Sequence, residues 1–449
     1  MKKIATAAFS ALLCLSTPLA HASSFNPHNS PELQAGSSLI DAGSSAIKDS
    51  GIPSPSSFDA SDPFYDPPAE LPATAGQIIR TQPTEHIGPL LASATKILYT
   101  SSTVHGDIVP VSGLLLEPTA PWRGSGPRPT VVMAPGTRGG ADACAPSRSA
   151  YQALSLDAGS GNLNANYEIP FAYAAASAGM RVVVTDYIGL GTPGPHTYVL
   201  HTEEGNAVLD AARAGLQASG SAPDSPVGFW GYSQGGGSVA AAAERAASYA
   251  PDLNVKGVYS GAPPANLPEV IKAVDGSSII GVLGISLVGY PARYPELNAE
   301  IDRIFNEKGK RFIEDSANSC ISDAAKKWGL MDSRTLTNSG KSMAEEAANS
   351  ELLHSYLSRE NLGQHAPVAP VMISSSKADD IIPNFQVEQL AKDYCSLGGK
   401  VFYYNNGLDS LTSSQPYAVD HAVGMFTDAP ASFAFLNDRF NDVPMQHSC

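Results

Sequence analysis

The feature with the clearest chemical meaning in this 449-residue chain is a serine in the run G-Y-S-Q-G at residues 231–235. An apolar segment at 226–230 precedes the run and predicts a short buried strand, whereas the alanine-rich segment at 236–250 predicts a helix. A sharp turn between them strains its central residue, and only very small residues fit two positions before and after it. The sequence has glycine at both positions. We predict that the turn presents the Ser233 hydroxyl as a nucleophile for acyl carbonyls; a glycine-rich connection with an idle serine is the alternative.

Two later residues could supply the base and the acid that a serine nucleophile needs. His421 follows a predicted strand at 401–404, and we expect it on a loop before a C-terminal helical stretch; a surface histidine without a role is the alternative. Asp379 follows a predicted strand at 368–374 and precedes a proline by four residues, with Asp380 as the fallback for the acid. The order serine, aspartate, histidine along the chain is that of the α/β-hydrolases.

The three residues have distinct predicted roles. Ser233 attacks the carbonyl, His421 takes the serine proton and later protonates the leaving alcohol, and Asp379 holds the imidazole tautomer. The tetrahedral oxyanion needs backbone hydrogen-bond donors. We expect one of them to be the N–H of Gln234, and a second to come from a loop near the top of the sheet.

The elements around these residues alternate between strands and helices. Predicted antiparallel edge strands lie at 78–81, 97–100 and 109–116, predicted central strands at 130–133, 181–186, 226–230, 255–260, 368–374 and 401–404, and predicted helices at 170–179, 203–215 and 236–250. Strands alternating with helices of this length indicate a mostly parallel sheet with helices on both faces. The predicted fold class is therefore α/β, of the α/β-hydrolase type.

The alternation stops after residue 261, and about 100 residues without a convincing strand follow. We expect this segment to be a helical cap, or lid, inserted between late core strands over the C-terminal edge of the sheet. The predicted boundaries are a core at 76–262 and 366–449 and a cap at 263–365. Within the cap, the apolar stretch 277–290 contains three glycines. It is predicted either as a buried cap helix or as a mobile wall of an acyl pocket.

The N-terminus predicts export from the cytoplasm. Residues 1–22 combine two lysines, an apolar run and an A-x-A site, which together are typical of a cleaved signal peptide. Cys14 suggests a lipoprotein, but the leucine before it is too large for that processing site. Residues 23–75 predict a Ser/Pro-rich arm with at most one short helix, at 39–48. We expect a secreted or periplasmic protein without a transmembrane anchor.

The net charge argues against two classes of binding partner, and the cysteine content indicates disulfides and not a zinc site. The formal net charge is −15 and the pI is about 5.0, which argues against nucleic-acid binding and against adsorption to anionic membranes. Cys144, Cys320, Cys395 and Cys449 remain after removal of the signal peptide, and an even number suits disulfides in an exported protein. Four cysteines allow three pairings. Their spacing does not suit zinc.

Two motifs resemble cofactor or metal sites but are rejected. The G-x-G-x-x-G run at 189–194 suggests a dinucleotide site, yet Pro193 and Pro195 block the helix that should begin there. Asp157 and Glu168 occupy the ends of a 12-residue EF-hand loop, but glycines stand where oxygen ligands are required. We therefore predict no cofactor and no metal.

Taken together, these motifs resemble the secretory lipase family, of the fungal lipase A type with bacterial relatives. The matching runs are G-Y-S-Q-G at 231–235, D-Y-I-G at 186–189, G-T-P-G at 191–194, A-C-A-P-S at 143–147, D-D-I-I-P at 379–383 and D-H at 420–421. The resemblance covers roughly residues 76–449. The sequence departs from fungal members in the long N-terminal arm and at Gln234, where they often have glycine.

The resemblance implies further features of the site. It implies that Asp186 contributes to the oxyanion hole and that disulfides join Cys144 to Cys320 and Cys395 to Cys449. It also implies a secreted monomeric lipase or esterase that cleaves carboxylic esters, with acylglycerols as substrates and an oil–water interface as a further partner. The alternatives are a short-chain or aromatic-acyl carboxylesterase, a peptidase on the same fold, and a catalytically silent binding protein with a hydrolase fold.

Overall fold

The computed structural model describes residues 57–58, 62–84, 91–149, 153–157, 163–413, 415–446 and 449. The predicted signal peptide, Cys14, most of the N-terminal arm and its expected helix at 39–48 lie outside the described residues. Within the described parts, no helix is both long and apolar enough to cross a membrane.

The described residues form one large sheet and one small one. The strands are β1 Ser57–Phe58, β2 Ile78–Thr84, β3 Ala92–Ser102, β4 Ile108–Pro118, β5 Thr130–Ala134, β6 Leu154–Asp157, β7 Leu163–Ala165, β8 Arg181–Thr185, β9 Pro226–Tyr232, β10 Asn254–Gly261, β11 Val371–Ser375 and β12 Val401–Asn405. The large sheet has the order β12-β11-β10-β9-β5-β8-β4-β3-β2. Pairing is parallel from β12 through β8 and antiparallel from β8 through β2. The predicted mostly parallel sheet with an antiparallel edge is confirmed.

Helices lie in the connections from β7 to β12 and after β12. They are α1 Ile169–Ser177, α2 His201–Ala218, α3 Gln234–Tyr249, α4 Leu267–Val274, α5 Gly281–Gly289, α6 Leu297–Ile304, α7 Glu307–Ala317, α8 Ile321–Trp328, α9 Met343–Asn349, α10 Glu351–Arg359, α11 Asn384–Ser396 and α12 Val419–Phe440. The helices predicted at 170–179, 203–215 and 236–250 correspond to α1, α2 and α3 and are confirmed within a few residues.

The core lies between the large sheet and its helices. Every residue of β5, β8 and β9 is buried, as expected for parallel strands covered on both faces. Helices α2 and α3 pack on each other, and α12 packs against β9 and β10. Trp230 of β9 stacks on Phe433 of α12, with ring centroids 5.7 Å apart, and its indole N–H donates to Ser432 at 2.8 Å. This packing fixes the strand that precedes Ser233.

Helices α4 to α10 all lie between β10 and β11, where the sequence predicts the cap. Its boundaries at 263–365 stay a prediction. The glycines of α5 allow close helix packing: a Cβ on Gly284 would lie 2.6 Å from Ser316, and one on Gly281 would lie 2.9 Å from Ala324. These glycines therefore let α5 approach α7 and α8 closely, and Ile280, one residue before α5, is fully buried.

Two features differ from the sequence predictions. The expected loop position of His421 is wrong, because α12 begins at Val419 and carries His421 in its first turn. The small sheet, in the order β1-β6-β7, was not predicted at all. Its strands are only two to four residues long and carry little periodicity for a sequence pattern to reveal.

Candidate active site

The turn between β9 and α3 holds Ser233 in a strained conformation, with φ 60° and ψ −123°. A Cβ on Gly231 would lie 2.2 Å from the carbonyl oxygen of Gly235, and a Cβ on Gly235 would lie 1.9 Å from that of Ala134. Neither position can therefore take a side chain without moving the backbone. The Ser233 N–H donates to the carbonyl of Gly261 at 2.8 Å, which anchors the turn to the end of β10.

A continuous chain of hydrogen bonds starts at the Ser233 hydroxyl. His421 Nε2 lies 2.8 Å from Ser233 Oγ, and His421 Nδ1 lies 2.8 Å from Asp379 Oδ2. The other carboxylate oxygen of Asp379 accepts the N–H groups of Ile381 and Ile382, at 3.0 and 2.7 Å. The structure thus brings together the three residues that the sequence singles out, and selects Asp379 over Asp380 as the partner of the imidazole.

Asp380 holds the backbone of His421 instead. Its Oδ1 accepts the His421 N–H at 2.9 Å, at the first turn of α12. Tyr232 donates its hydroxyl hydrogen to the His421 carbonyl at 2.9 Å. His421 is therefore held at its ring, at its backbone N–H and at its carbonyl. The groups that hold it come from the end of β9 and from the loop after β11.

The electrostatics around His421 favour a proton on the ring. Burial by itself lowers the pKa of His421, but the charge of Asp379, the hydrogen bond to it and the charge of Asp380 outweigh burial, and the pKa is raised. Burial also raises the pKa of Asp380, against the hydrogen bond from His421. A raised histidine pKa next to a serine is suited to a base that must accept a proton during attack.

The loop after β5 lies directly against the nucleophile turn. A Cβ on Gly136 would lie 3.2 Å from the carbonyl oxygen of Tyr232, so the two backbones are in close contact. Thr137 lines the same cavity as Ser233 and Gln234. Among the described residues, the Thr137 N–H has no acceptor. The Gln234 N–H, at the first position of α3, has no intrahelical partner either.

Asp186 does not reach this cavity, contrary to what the family resemblance implies. Its side chain is fully buried beyond the end of β8. Its carboxylate accepts hydrogen bonds from the Ser112 hydroxyl at 2.6 Å and from the Ser147 N–H at 2.9 Å, and the Ser147 hydroxyl also donates to it. Its own N–H donates to the Ser112 carbonyl. Asp186 therefore links the 146–149 turn to β4. Both of its carboxylate oxygens and its N–H already form hydrogen bonds within the protein.

Sequence reasoning missed Thr137 as a cavity residue. The sequence does contain a pattern that could have indicated it: the run A-P-G-T at 134–137 directly follows the predicted strand at 130–133. In the structure this strand ends beside the strand that precedes Ser233. Strand order was the missing information: β5 is the direct neighbour of β9 in the sheet. Residue pattern alone does not give that order.

A cavity of about 1080 Å³, including its mouth toward solvent, begins at Ser233. Its wall is apolar and comes mainly from α4, α5, α6, α9 and α10. Among the described residues of the wall, only Glu346 is charged, and its carboxylate accepts a hydrogen bond from Ser339 and lies 3.9 Å from Arg303. An apolar space of this kind can hold a hydrocarbon chain beside Ser233.

The four cysteines form two disulfides, Cys144–Cys320 and Cys395–Cys449, in the pairing that the resemblance implies. The first joins the loop that follows β5 to the residue before α8. The second joins the end of α11 to the C-terminal residue. Among the described residues, no cluster of three or more His, Cys, Asp or Glu could hold a metal ion.

The sequence profile of the secretory lipase family matches residues 156–448. A Mycobacterium tuberculosis protein described as a probable inactive lipase is 27% identical over 396 residues, covering 86% of this chain and 83% of that protein. A secreted triacylglycerol lipase of Malassezia globosa is 27% identical over 315 residues. That alignment covers 69% of this chain and 65%, less than two thirds, of the Malassezia protein.

Solved structures of α/β-hydrolase lipases and esterases share this fold. Candida antarctica lipase A in its closed state superposes with a TM-score of 0.73 at 21% identity, covering 87% of this chain and 88% of that one. A rice cell wall degrading esterase of Xanthomonas oryzae has a TM-score of 0.68 at 20% identity, covering 82% and 99%. At such identities the likeness concerns the fold alone, and the predicted α/β-hydrolase fold is confirmed.

Proposed function

This chain belongs to the secretory lipase family, and we propose that Ser233, His421 and Asp379 are its catalytic triad and that acylglycerols are its substrates. As a member of this family it is a lipase-type serine ester hydrolase. One observation carries the proposal: the unbroken hydrogen-bond chain from Ser233 through His421 to Asp379 lies at the entrance of an apolar cavity.

Acylation begins with attack of Ser233 Oγ on the ester carbonyl carbon. As the carbon–oxygen bond forms, the serine proton moves to His421 Nε2, 2.8 Å away. Asp379 accepts the Nδ1–H of the ring, which keeps the lone pair on Nε2 before the transfer and stabilises the imidazolium afterwards. The tetrahedral intermediate then collapses, His421 gives its proton to the departing alcohol oxygen, and an acyl ester remains on Ser233.

Deacylation repeats these steps with water as the nucleophile. His421 takes a proton from the water as it attacks the acyl carbonyl, and returns that proton to Ser233 Oγ when the acid leaves. The carboxylic acid product ionises near neutral pH and binds less well in the apolar cavity than the ester does. Product release is therefore favourable.

We propose the N–H groups of Gln234 and Thr137 as the donors for the oxyanion. Both residues line the cavity together with Ser233, and neither N–H has another acceptor in the described structure. One donor follows the nucleophile and the other comes from the loop after the neighbouring strand, the usual arrangement in this fold. Thr137 thus takes the role that the resemblance implied for Asp186.

The apolar wall supports acyl chains of substantial length. Residues of α4, α5 and α10, together with Phe305 and Met343, line the same cavity as Ser233. Apolar contact contributes about 0.8 kcal/mol per buried methylene, so each added pair of methylenes lowers the KM of an ester by roughly tenfold until the wall ends. A short-chain or aromatic-acyl carboxylesterase needs no such length, and a peptidase needs polar groups for the flanking peptide.

A catalytically silent protein is the candidate from another class, because one relative is described as a probable inactive lipase. In this chain the serine, the histidine and the aspartate are all present at hydrogen-bonding distance. Residues 1–22 support export through a cleaved signal peptide, as does the name of the secreted Malassezia relative. We propose secretion or periplasmic localisation on these grounds.

The test is hydrolysis of p-nitrophenyl esters from two to sixteen carbons, beside emulsions of tributyrin and triolein. The proposal expects turnover of both emulsions and a preference for acyl chains longer than six carbons. Activity confined to the acetate or to aromatic esters would support the carboxylesterase alternative. Absence of turnover on every substrate, with a folded protein, would support the silent alternative.

A further inference from the structure

Thr137 lies in a loop, so its N–H is not positioned by a helix, unlike that of Gln234. An oxyanion donor must be held within a few tenths of an ångström of its working position. The structure must therefore contain other groups that hold the 136–138 loop in place.

Several of those groups come from one short segment, residues 165–168, at the junction of β7 and α1, and the hydroxyls of Thr137 and Tyr198 also share a hydrogen bond of 2.7 Å. Glu168 accepts the Gly136 N–H with both carboxylate oxygens, each at 3.0 Å. The Tyr167 hydroxyl donates to the Thr137 carbonyl at 3.0 Å. The backbone of the loop is thus held immediately before and immediately after the Thr137 N–H.

The next residue of the loop is held by the same segment. Arg138 Nη2 lies 2.7 Å from Glu168 Oε2, and Arg138 Nη1 donates to the Ala165 carbonyl. The guanidinium carbon lies 3.9 Å from the centre of the Tyr167 ring. The side chains of Arg138 and Glu168 are only 1% and 5% exposed, so this ion pair is shielded from water and from salt.

From this geometry we infer that Tyr167 and Glu168 are positioning residues for ester hydrolysis, which hold the Thr137 N–H where the oxyanion forms. The inference rests on the proposed function, since it needs Thr137 to be an oxyanion donor. It also gives a role to Glu168, which the sequence places in a calcium-type loop that lacks the other ligands. The carboxylate binds the chain's own N–H and guanidinium groups instead.

The experiment compares Tyr167→Phe with wild type. This change removes one hydroxyl group and its hydrogen bond to Thr137, and it keeps the aromatic ring against Arg138. Tyr394→Phe is the matched control, because the Tyr394 hydroxyl is also buried and donates to Glu244 at 2.7 Å, away from the cavity lining. Thermal unfolding of both variants measures their stability.

Four constants are measured with an octanoate ester: kcat, KM, and the Ki values of two inhibitors with the same chain. One inhibitor is a trifluoromethyl ketone, which forms an oxyanion on Ser233, and the other is an ether that mimics the unreacted ester. Tyr167→Phe is expected to lower kcat about tenfold and to raise the Ki of the ketone about tenfold. A displaced N–H donor lowers the stability of the oxyanion, which is present in the transition state and in the ketone adduct but not in the bound ester. KM and the Ki of the ether stay unchanged, as do all four constants in Tyr394→Phe.

Glu168→Gln provides a second test of the inference. It weakens the hydrogen bonds that the Gly136 N–H donates to this side chain, so we expect a loss of about 100-fold in kcat. It also leaves the Arg138 guanidinium without a counter-charge, so we expect a lower unfolding temperature. If this variant does not fold, Tyr167→Phe carries the test alone, since it leaves the ion pair intact.

The outcomes separate the inference from the proposed function. Unchanged kcat and ketone affinity in Tyr167→Phe, with an active wild type, overturn the inference alone. Equal weakening of the ketone and the ether overturns it too, because Tyr167 would then shape the acyl cavity. A wild type that neither hydrolyses esters nor binds the ketone covalently refutes the proposed function and with it this inference.

Discussion

Replacing Asp379 with asparagine reverses the polarity of one hydrogen bond while keeping the shape of the side chain. Asp379 Oδ1 already accepts two N–H groups, from Ile381 and Ile382. The asparagine oxygen must stay there, because an NH₂ group would face two donors. Its NH₂ group then occupies the place of Oδ2, 2.8 Å from His421 Nδ1. The ring must accept at Nδ1, so its proton moves to Nε2, which can no longer take the proton of Ser233.

The expected loss of kcat follows from the free energy needed to return the His421 proton to Nδ1, the tautomer that can accept the serine proton. Turning the asparagine so that its oxygen faces His421 leaves two backbone N–H groups unsatisfied, at about 1–3 kcal/mol each. A total of about 2–6 kcal/mol corresponds to a loss of roughly 30-fold to 10⁴-fold in kcat. KM is expected to change little, because ground-state binding takes place in the apolar cavity.

Asp380→Asn is the matched control. The asparagine oxygen still accepts the His421 N–H, so we expect kcat within about tenfold of wild type. The other position, Oδ2, is already buried without a hydrogen-bond partner among the described residues, so an NH₂ group there replaces one unsatisfied group by another and we expect little change in stability. Loss of the Asp380 charge also lowers the pKa of His421.

Steady-state kinetics on a soluble ester from pH 4 to pH 9 give both kcat and the pH dependence of kcat/KM for each variant. Activity falls as the pH drops through the pKa of His421, because the protonated ring is no base. The acid limb of kcat/KM therefore moves to lower pH in Asp380→Asn. Equal losses of kcat in the two variants would refute the assignment of the acid, and an acid limb moved to higher pH would refute the electrostatic argument.

Two further predictions concern the insertion. Cys144→Ser opens a loop of 176 residues, and chain entropy predicts a loss of about 5 kcal/mol in the free energy of unfolding, measured in urea; a loss below about 1 kcal/mol would contradict it. Leu283→Asp puts a charge in the apolar wall, so kcat/KM for a palmitate ester should fall at least about tenfold while that for an acetate ester changes little. Equal losses on both esters would mean that Leu283 supports the fold and not the acyl site.

The nucleophile turn could be predicted from sequence because its constraints are local. Strand, glycines, serine and helix follow one another within 25 residues. Gly231 is required by a contact within the turn, whereas Gly235 is required by the carbonyl of Ala134 in the neighbouring strand. The acid and base could be proposed for a similar reason, since each follows a recognisable strand. The sequence favours Asp379 over Asp380 through its distance to the proline and the small residue three positions before it, with Asp380 as the fallback.

The residue that we propose as the second oxyanion donor could not be predicted in the same way. Thr137 lies next to Ser233 because β5 pairs with β9, and its loop is held by residues 165–168. Both relations depend on tertiary contacts between segments far apart in the chain. The resemblance implies Asp186 instead, but the Asp186 carboxylate is enclosed by Ser112 and Ser147. The helix that carries His421 begins earlier than its sequence suggested because Asp380 and Tyr232 stabilise its first turn.

Covalent labelling with a fluorophosphonate, followed by peptide mass spectrometry, determines whether Ser233 is the nucleophile. We predict one adduct per chain, on the Ser233 peptide, with ester hydrolysis lost in proportion to labelling. Ser233→Ala should remain folded and take no label, because the hydroxyl at the turn contributes little to stability. A chain that hydrolyses esters without an adduct on Ser233, or a Ser233→Ala variant that keeps its activity, would contradict the account.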